Sequence, residues 1–362
     1  MKFLGFLKKF DLALILPAFF LTFFGILSVY SSSLSSRDFL NFKKQIIFFA
    51  ISIIFVVFLS FLDLRFLRTN SYFVLSLYLL SIIALFLVLC FGTEMRGVKG
   101  WFKIGSFFVD PVSFSVIILI IILSKYFSTR HIELQRFRII LFSALYMIVP
   151  VGLILLQPDL GSSLCLVLAW LGIVIFSGIK MRHFLVLTLI FLIIFTLGWR
   201  FFLRDYQKQR ILAFLNPKID KGGISWSVNQ SKIAIGSGGI WGKGIGKGSQ
   251  TQYGFLPEPQ TDFIFSAIAE ETGFFGVFCL LAVFLFLFSR IIKVAFLAKN
   301  NLTRLFAVGF SFLILSQSFI NIGMCLGLFP IVGIPLPFVS YGGSQLLAFY
   351  CGLGILLSLE KT

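Results

Sequence analysis

Four carboxylates crowd into the stretch FLPEPQTDFIFSAIAEETGFFG, residues 255–276: Glu258, Asp262, Glu270 and Glu271, in a chain with only 14 acidic residues. Pro257 and Pro259 exclude a helix before Thr261, which can then act as N-cap for a helix starting at Asp262. On such a helix Asp262, Ser266 and Glu270 share one face at i, i+4 and i+8. Two carboxylates on one face suit a general base and a ligand for a hard divalent cation. The helix N-terminus would keep Asp262 ionised for either task. An Asp in a first turn is also favoured by the helix dipole alone. Spacing leaves both readings open.

Three further segments carry polar chemistry. GSGGIWGKGIGKG, residues 236–248, lets the backbone approach a ligand closely, and its N–H groups with Lys243 and Lys247 could cradle a phosphate. It is not a Walker A loop, because the glycine spacing and the Ser or Thr after Lys are both missing. A re-entrant turn is the bland alternative. LLQPDLGSS, residues 155–163, sets Asp159 in a very short turn, as a turn former or as a surface carboxylate that binds a cation. GIPLPFVSYGGSQ, residues 333–345, breaks regular structure just before the last apolar run, as backbone lining a cavity does.

The elements that must position these residues are helices in lipid. Hydrophobic residues make up 59% of 362 and charged residues 12%. A soluble domain has roughly 45–50% and about 25%. Apolar runs near 12–31, 45–62, 72–92, 109–124, 139–156, 162–178, 184–200, 275–289, 305–326 and 342–359 give an all-α polytopic membrane protein of about ten spans. The chain reads as one integral membrane domain, 1–362, with a long polar loop, 201–274, between spans seven and eight. That loop is expected to form short helices and ordered coil on the membrane surface.

The net charge of +17 lies in short clusters between spans, which fits topology and anionic headgroups and excludes nucleic acid as a partner. Arg65, Arg68, Lys125, Arg130, Arg136, Arg138, Lys180, Arg182, Arg290, Lys293, Lys299 and Arg304 fall in loops on the N-terminal side. The short loops opposite hold Arg37, Lys43, Lys44, Arg96, Lys99 and Lys103. Both termini are therefore expected in the cytoplasm and the long loop outside. The five cysteines lie in apolar runs without metal or redox spacing.

QPDLGSS, YQKQRILAFLNP, NQSKIAIGSGGIWGKGIGKGSQ, FLPEPQTDFIFSAIAEETGFFG and PLPFVSYGGS, in this order across the chain, resemble the SEDS family of bacterial cell-wall polymerases, its RodA branch more than FtsW. The resemblance implies a ten-helix glycosyltransferase of the bacterial cytoplasmic membrane that polymerises lipid II, releases undecaprenyl pyrophosphate and serves cell-wall elongation and cell shape. It implies a class B penicillin-binding protein as partner and a divalent cation, Mg²⁺ or Mn²⁺. The family's essential acid matches Asp262 as catalytic residue, and Glu258 matches its LPE position, so these two are the metal candidates. Asp159 and Glu270 are supporting acids. Arg210, Lys232, Lys243 and Lys247, with Gln250 and Ser340, are candidates for binding substrate or pyrophosphate.

Two departures stand out. GVKGW, 97–101, replaces a GARRW-like string and lacks one base, and DPVSFSV, 110–116, lacks the Glu and Lys of the family's QPSE segment. Two rival readings remain: a lipid II flippase, which should place charges at mid-span, and a non-catalytic scaffold for a penicillin-binding protein.

Overall fold

The computed structural model describes residues 11–95, 97–130, 137–190, 205–215 and 223–361. Its long helices are α1 (Leu12–Ser36), α2 (Leu40–Phe61), α4 (Ser71–Phe91), α5 (Pro111–Thr129), α6 (Phe137–Leu156), α12 (Ile264–Leu297), α13 (Asn301–Cys325) and α14 (Gly343–Glu360), with a short α3 (Arg65–Thr69) before α4. These eight long helices are apolar enough to cross a membrane, and two shorter apolar ones, α7 (Leu160–Phe176) and α8 (Met181–Ile190), fall where spans six and seven are expected. The second half of span seven, 191–200, lies outside the described residues. The protein is therefore a multi-pass membrane protein. Ile54, Phe58, Leu80, Phe278 and Leu285 stand exposed on its flanks, as side chains bathed in lipid do.

Helix starts are set by short polar side chains. Asp11, Asn70, Asp110, Asp159 and Asn300 each cap a helix by accepting a backbone N–H of its first turn. Three of the scarce Asp residues thus fix where helices α1, α5 and α7 begin. Pro111 follows its cap at the first helical position, where its missing N–H costs nothing.

Both ends of the bundle are knitted across the chain. At one end Arg290 pairs with Asp11, Lys361 Nζ donates to the Ser60 carbonyl (2.8 Å), and Thr303 Oγ1 donates to the Leu359 carbonyl (3.1 Å). Both ends of the described chain lie there. The polar motifs gather at the opposite end.

There the 93–109 segment forms a small antiparallel sheet, β1 (Thr93–Met95), β2 (Val98–Ile104) and β3 (Phe107–Val109), in the order β1-β2-β3. The sequence reading contains no strand at this place. Gly97 and Gly105, both at positive φ, close the two tight turns that make the hairpins. The GVKGW segment lies in that sheet.

Within the long polar segment the helices are α9 (Asp205–Leu215), α10 (Ile224–Ser237) and α11 (Ser249–Gln252). Residues 216–222, including the end of the FLNP string, lie outside the described residues. Helix α12 starts eleven residues earlier than the 275–289 span expected for it. It is two arms joined at Gly273, whose φ of 66° and ψ of −165° break the helix. The short arm, 264–272, belongs to the loop, and the long arm continues as the span.

Candidate active site

Asp262 does not occupy the first turn of a helix. Helix α12 begins at Ile264, its N-cap Phe263 makes no side-chain cap, and the Thr261 hydroxyl is buried without a partner. The expected Thr261 cap is therefore corrected: Asp262 sits in a tight turn just before the helix. The N–H groups of Thr261 (3.2 Å) and Phe263 (3.3 Å) both donate to the Glu258 carbonyl, which folds residues 258–263 on themselves. Glu258 adopts a φ of 46°, a left-handed conformation that costs a non-glycine residue about 1 kcal/mol or more and persists only under external constraint.

That constraint comes from three distant segments. Asn321 of α13 donates from Nδ2 to the carbonyls of Asp262 (3.0 Å) and Ile334 (2.8 Å), joining the turn to the 331–334 strap. Ser340 Oγ donates to the Thr261 carbonyl (2.7 Å) and accepts the Leu336 N–H (2.8 Å). The Tyr341 N–H donates to the Gln260 carbonyl (2.8 Å), and Asn41 of α2 donates to the Gln260 amide oxygen (2.8 Å). Ser340 is thus a latch on the acidic turn from the PLPFVSYGG segment. Asn321 and Asn41 are absent from the sequence reading. Asn321 did carry a signal, an amide within an apolar run, which asks for a partner.

The expected face of Asp262, Ser266 and Glu270 is also corrected. Buried Ser266 shares a hydrogen bond with Ser231 of α10 (2.6 Å), which in turn donates to the Cys325 carbonyl (2.7 Å). Glu270 is fully buried and points into the glycine loop. It meets Lys243 Nζ at 2.8 Å and accepts the N–H groups of Gln250 (2.9 Å) and Thr251 (3.2 Å). Its neighbour Glu271 takes the Ser31 hydroxyl of α1 and the Gly246 N–H (3.2 Å).

The loop therefore does cradle an anion, but the anion belongs to the protein. A Cβ at Gly242 would stand 2.1 Å from the Glu271 carbonyl oxygen, so only glycine allows the loop to lie on the α12 short arm. Lys243 neutralises a buried carboxylate, which such a group requires. Gln250 contributes its backbone N–H, while its side-chain oxygen is buried without a partner.

The remaining candidates divide by place. Arg210 of α9 donates to the Ile331 carbonyl (3.3 Å), on the same strap that Asn321 ties to Asp262, and an added Cβ at Gly333 would stand 3.9 Å from Asp262 Oδ2. Asp159 caps α7 and accepts the Ser162 hydroxyl (2.5 Å). A Cβ at the next glycine, Gly161, would meet the Val332 carbonyl at 2.8 Å, so this turn packs beneath the same strap. Asp110 lies close enough to Asp159 to feel its charge. Burial first, and Asp159 after it, push its carboxyl up to about 6 against the bonds from Ser113 and Val112. Lys232 is exposed with its side chain over Gly327, and Lys247 is exposed at the glycine loop.

Among the described residues no group of three or more His, Cys, Asp or Glu could hold a metal ion. Asp262 and Glu258 are two half-buried carboxylates on one turn. A donor set of that size fits a hard cation whose shell is completed by water and substrate phosphate.

The family model for FtsW, RodA and SpoVE, described as a cell cycle protein, matches residues 11–362. Peptidoglycan glycosyltransferase MrdB of Escherichia coli (strain K12) is 36% identical over 284 residues, 78% of this chain and 76% of that protein. Stage V sporulation protein E of Bacillus subtilis (strain 168) is 34% identical, with 97% of each chain covered. A solved structure titled "Structural coordination of polymerization and crosslinking by a peptidoglycan synthase complex" superposes with a TM-score of 0.81 at 30% identity, over 97% of this chain and 98% of that one. The rod shape determining protein RodA of Thermus thermophilus gives 0.72 at 29% identity, with 97% of each chain covered.

Proposed function

The chain belongs to the FtsW/RodA/SpoVE family, and we propose that it is a peptidoglycan glycosyltransferase that polymerises lipid II at the turn holding Asp262. The observation that carries this reading is the anchoring of that turn. Asn321, Ser340, Tyr341 and Asn41 hold it from three separate segments, while Glu258 within it keeps a strained backbone. Strain maintained by so many contacts marks a place where geometry matters.

In this reaction the acceptor sugar hydroxyl attacks the anomeric carbon of the donor. The new glycosidic bond forms as the bond to undecaprenyl pyrophosphate breaks. The Asp262 carboxylate takes the hydroxyl proton, and the turn orients it. Arg210 of α9, which donates to the strap beside the turn, is the best-placed base for the leaving pyrophosphate, with exposed Lys232 and Lys247 as further candidates. Lys243 is withdrawn from that role, since Glu270 engages it. Asp262 and Glu258 would hold a divalent cation, Mg²⁺ or Mn²⁺, which when bound supplies positive charge to the pyrophosphate.

The setting that fits this chemistry is the bacterial cytoplasmic membrane, with both termini inside, the long loop outside, and a crosslinking class B penicillin-binding protein as partner. Elongation of the wall is the role we assign. The flippase reading expects charges at mid-span, whereas the buried pair Lys243–Glu270 lies at the loop end of α12.

The test is lipid II polymerisation by purified Asp262→Ala and Asp262→Asn proteins. A positioned base is worth about 10²–10⁴-fold, so both should fall at least about a hundredfold. A wild-type rate in either sinks the assignment.

A further inference from the structure

Between the glycine loop and the acidic turn, two aromatic side chains stand in the open. Tyr253 is 76% exposed and Phe255 47%, on a turn outside the membrane-spanning helices. Their rings meet edge to face, with centroids 6.4 Å apart and planes at 69°. Among the described residues the Tyr253 hydroxyl makes no hydrogen bond.

The backbone beneath them is fixed. The Gln252, Tyr253 and Leu256 N–H groups donate to the carbonyls of Gly248 (2.8 Å), Ser249 (3.1 Å) and Gln250 (2.9 Å). Gln252 Nε2 reaches the Ser31 carbonyl (3.0 Å), Ser35 Oγ returns a bond to the Gln252 carbonyl (2.5 Å), and Leu256 is buried. The pair is thus a rigid display of apolar surface. Phe255 is three residues from Glu258, so the two Cα atoms are at most ~11 Å apart.

An exposed aromatic pair on an ordered polar loop calls for a ligand. A pyranose ring offers one face of C–H bonds, whose positive edge suits the negative face of an aromatic ring, and its hydroxyls suit the Tyr253 hydroxyl. Tyr gives such contact at low entropic cost, having two side-chain torsions. We propose that Tyr253 and Phe255 form a seat for a sugar ring of the glycan strand, beside the ring that reacts at Asp262. This rests on the polymerase reading above. The seat holds the strand between successive additions, so its loss shortens the product while bond formation continues.

The experiment uses full-length protein carrying Asp262→Ala, which binds without turnover, and a soluble peptidoglycan tetrasaccharide as probe. Adding Tyr253→Ala or Phe255→Ala should weaken binding about three- to tenfold, Tyr253→Trp should keep it, and Tyr253→Leu should weaken it as Ala does. Unchanged affinity in the Ala variants overturns the proposal. Wild-type affinity in Tyr253→Leu also overturns it, because plain apolar cover, as in a membrane-interface anchor, then suffices. In the active background, Tyr253→Ala should yield shorter strands; strands of wild-type length overturn the seat's role. If unmutated protein makes no glycan while Tyr253-dependent binding persists, the activity reading fails and the sugar seat stands.

Discussion

Asn321 donates a 3.0 Å hydrogen bond from its side-chain amide to the carbonyl of Asp262, across 59 positions of sequence. The same nitrogen holds Ile334 at 2.8 Å. One buried amide thereby sets the distance between the acidic turn and the 331–334 strap.

Replacing Asn321 with Leu removes the amide donor from both carbonyls and leaves Asp262 only the weak Cys325 thiol at 3.6 Å, at a cost of ~1–3 kcal/mol for a buried acceptor whose bond is lost. Asn321→Asp is nearly isosteric but puts an acceptor against two acceptors. Both variants should melt lower in detergent and lose roughly tenfold or more in polymerisation, mainly in kcat, because the base is misplaced while the substrate still binds. A fall confined to KM would contradict this.

The Lys243–Glu270 pair allows a double-mutant test. Lys243→Met strands a buried carboxylate and should destabilise by ~3–5 kcal/mol, while Lys243→Met combined with Glu270→Gln should recover a large part. If Lys243 instead bound pyrophosphate, the double variant would regain stability and still show a raised KM for lipid II. We expect its KM to match that of Glu270→Gln alone.

Asp110 should make stability depend on acid pH. Its folded carboxyl lies at about 6 against an ordinary value of 3.8, so the native state binds the proton more tightly. Its contribution is fully present below 3.8 and is lost as pH rises through about 6. Asn also caps helices, so Asp110→Asn should keep α5 and flatten the change in melting temperature across that window. An unchanged slope would assign the dependence elsewhere.

Chelation of divalent cations should stop polymerisation, and Mg²⁺ or Mn²⁺ should restore it. With two carboxylates as the protein's share, Glu258→Gln should raise the metal concentration for half activity about tenfold or more. Full activity in excess chelator would remove the cation from the scheme.

The spans were legible because lipid imposes a length and composition that any helix crossing it must meet. The role of the glycine loop was half legible. Its geometry suits an anion, but nothing local shows that Glu270 and Glu271, more than twenty residues on, fill the cradle. Thr261 was misread for a related reason. Its local pattern favours a cap, yet the bonds of Asn321 and Ser340 to the backbone of residues 261–262 hold that stretch outside the helix. In both cases distant contacts override local preference.

The break at Gly273 makes α12 a measuring rod as well as a span. From Ile264 to Thr272 the short arm rises ~13 Å at 1.5 Å per residue. It is fastened along its length to the glycine loop and carries Asp262 at its far tip. Asp262 is thereby held at a set distance, along that arm, from the point where the long arm begins. A substrate whose sugar and lipid are joined by a pyrophosphate of fixed length needs such a spacer, because its reacting carbon can stand only so far from the hydrocarbon that holds its tail.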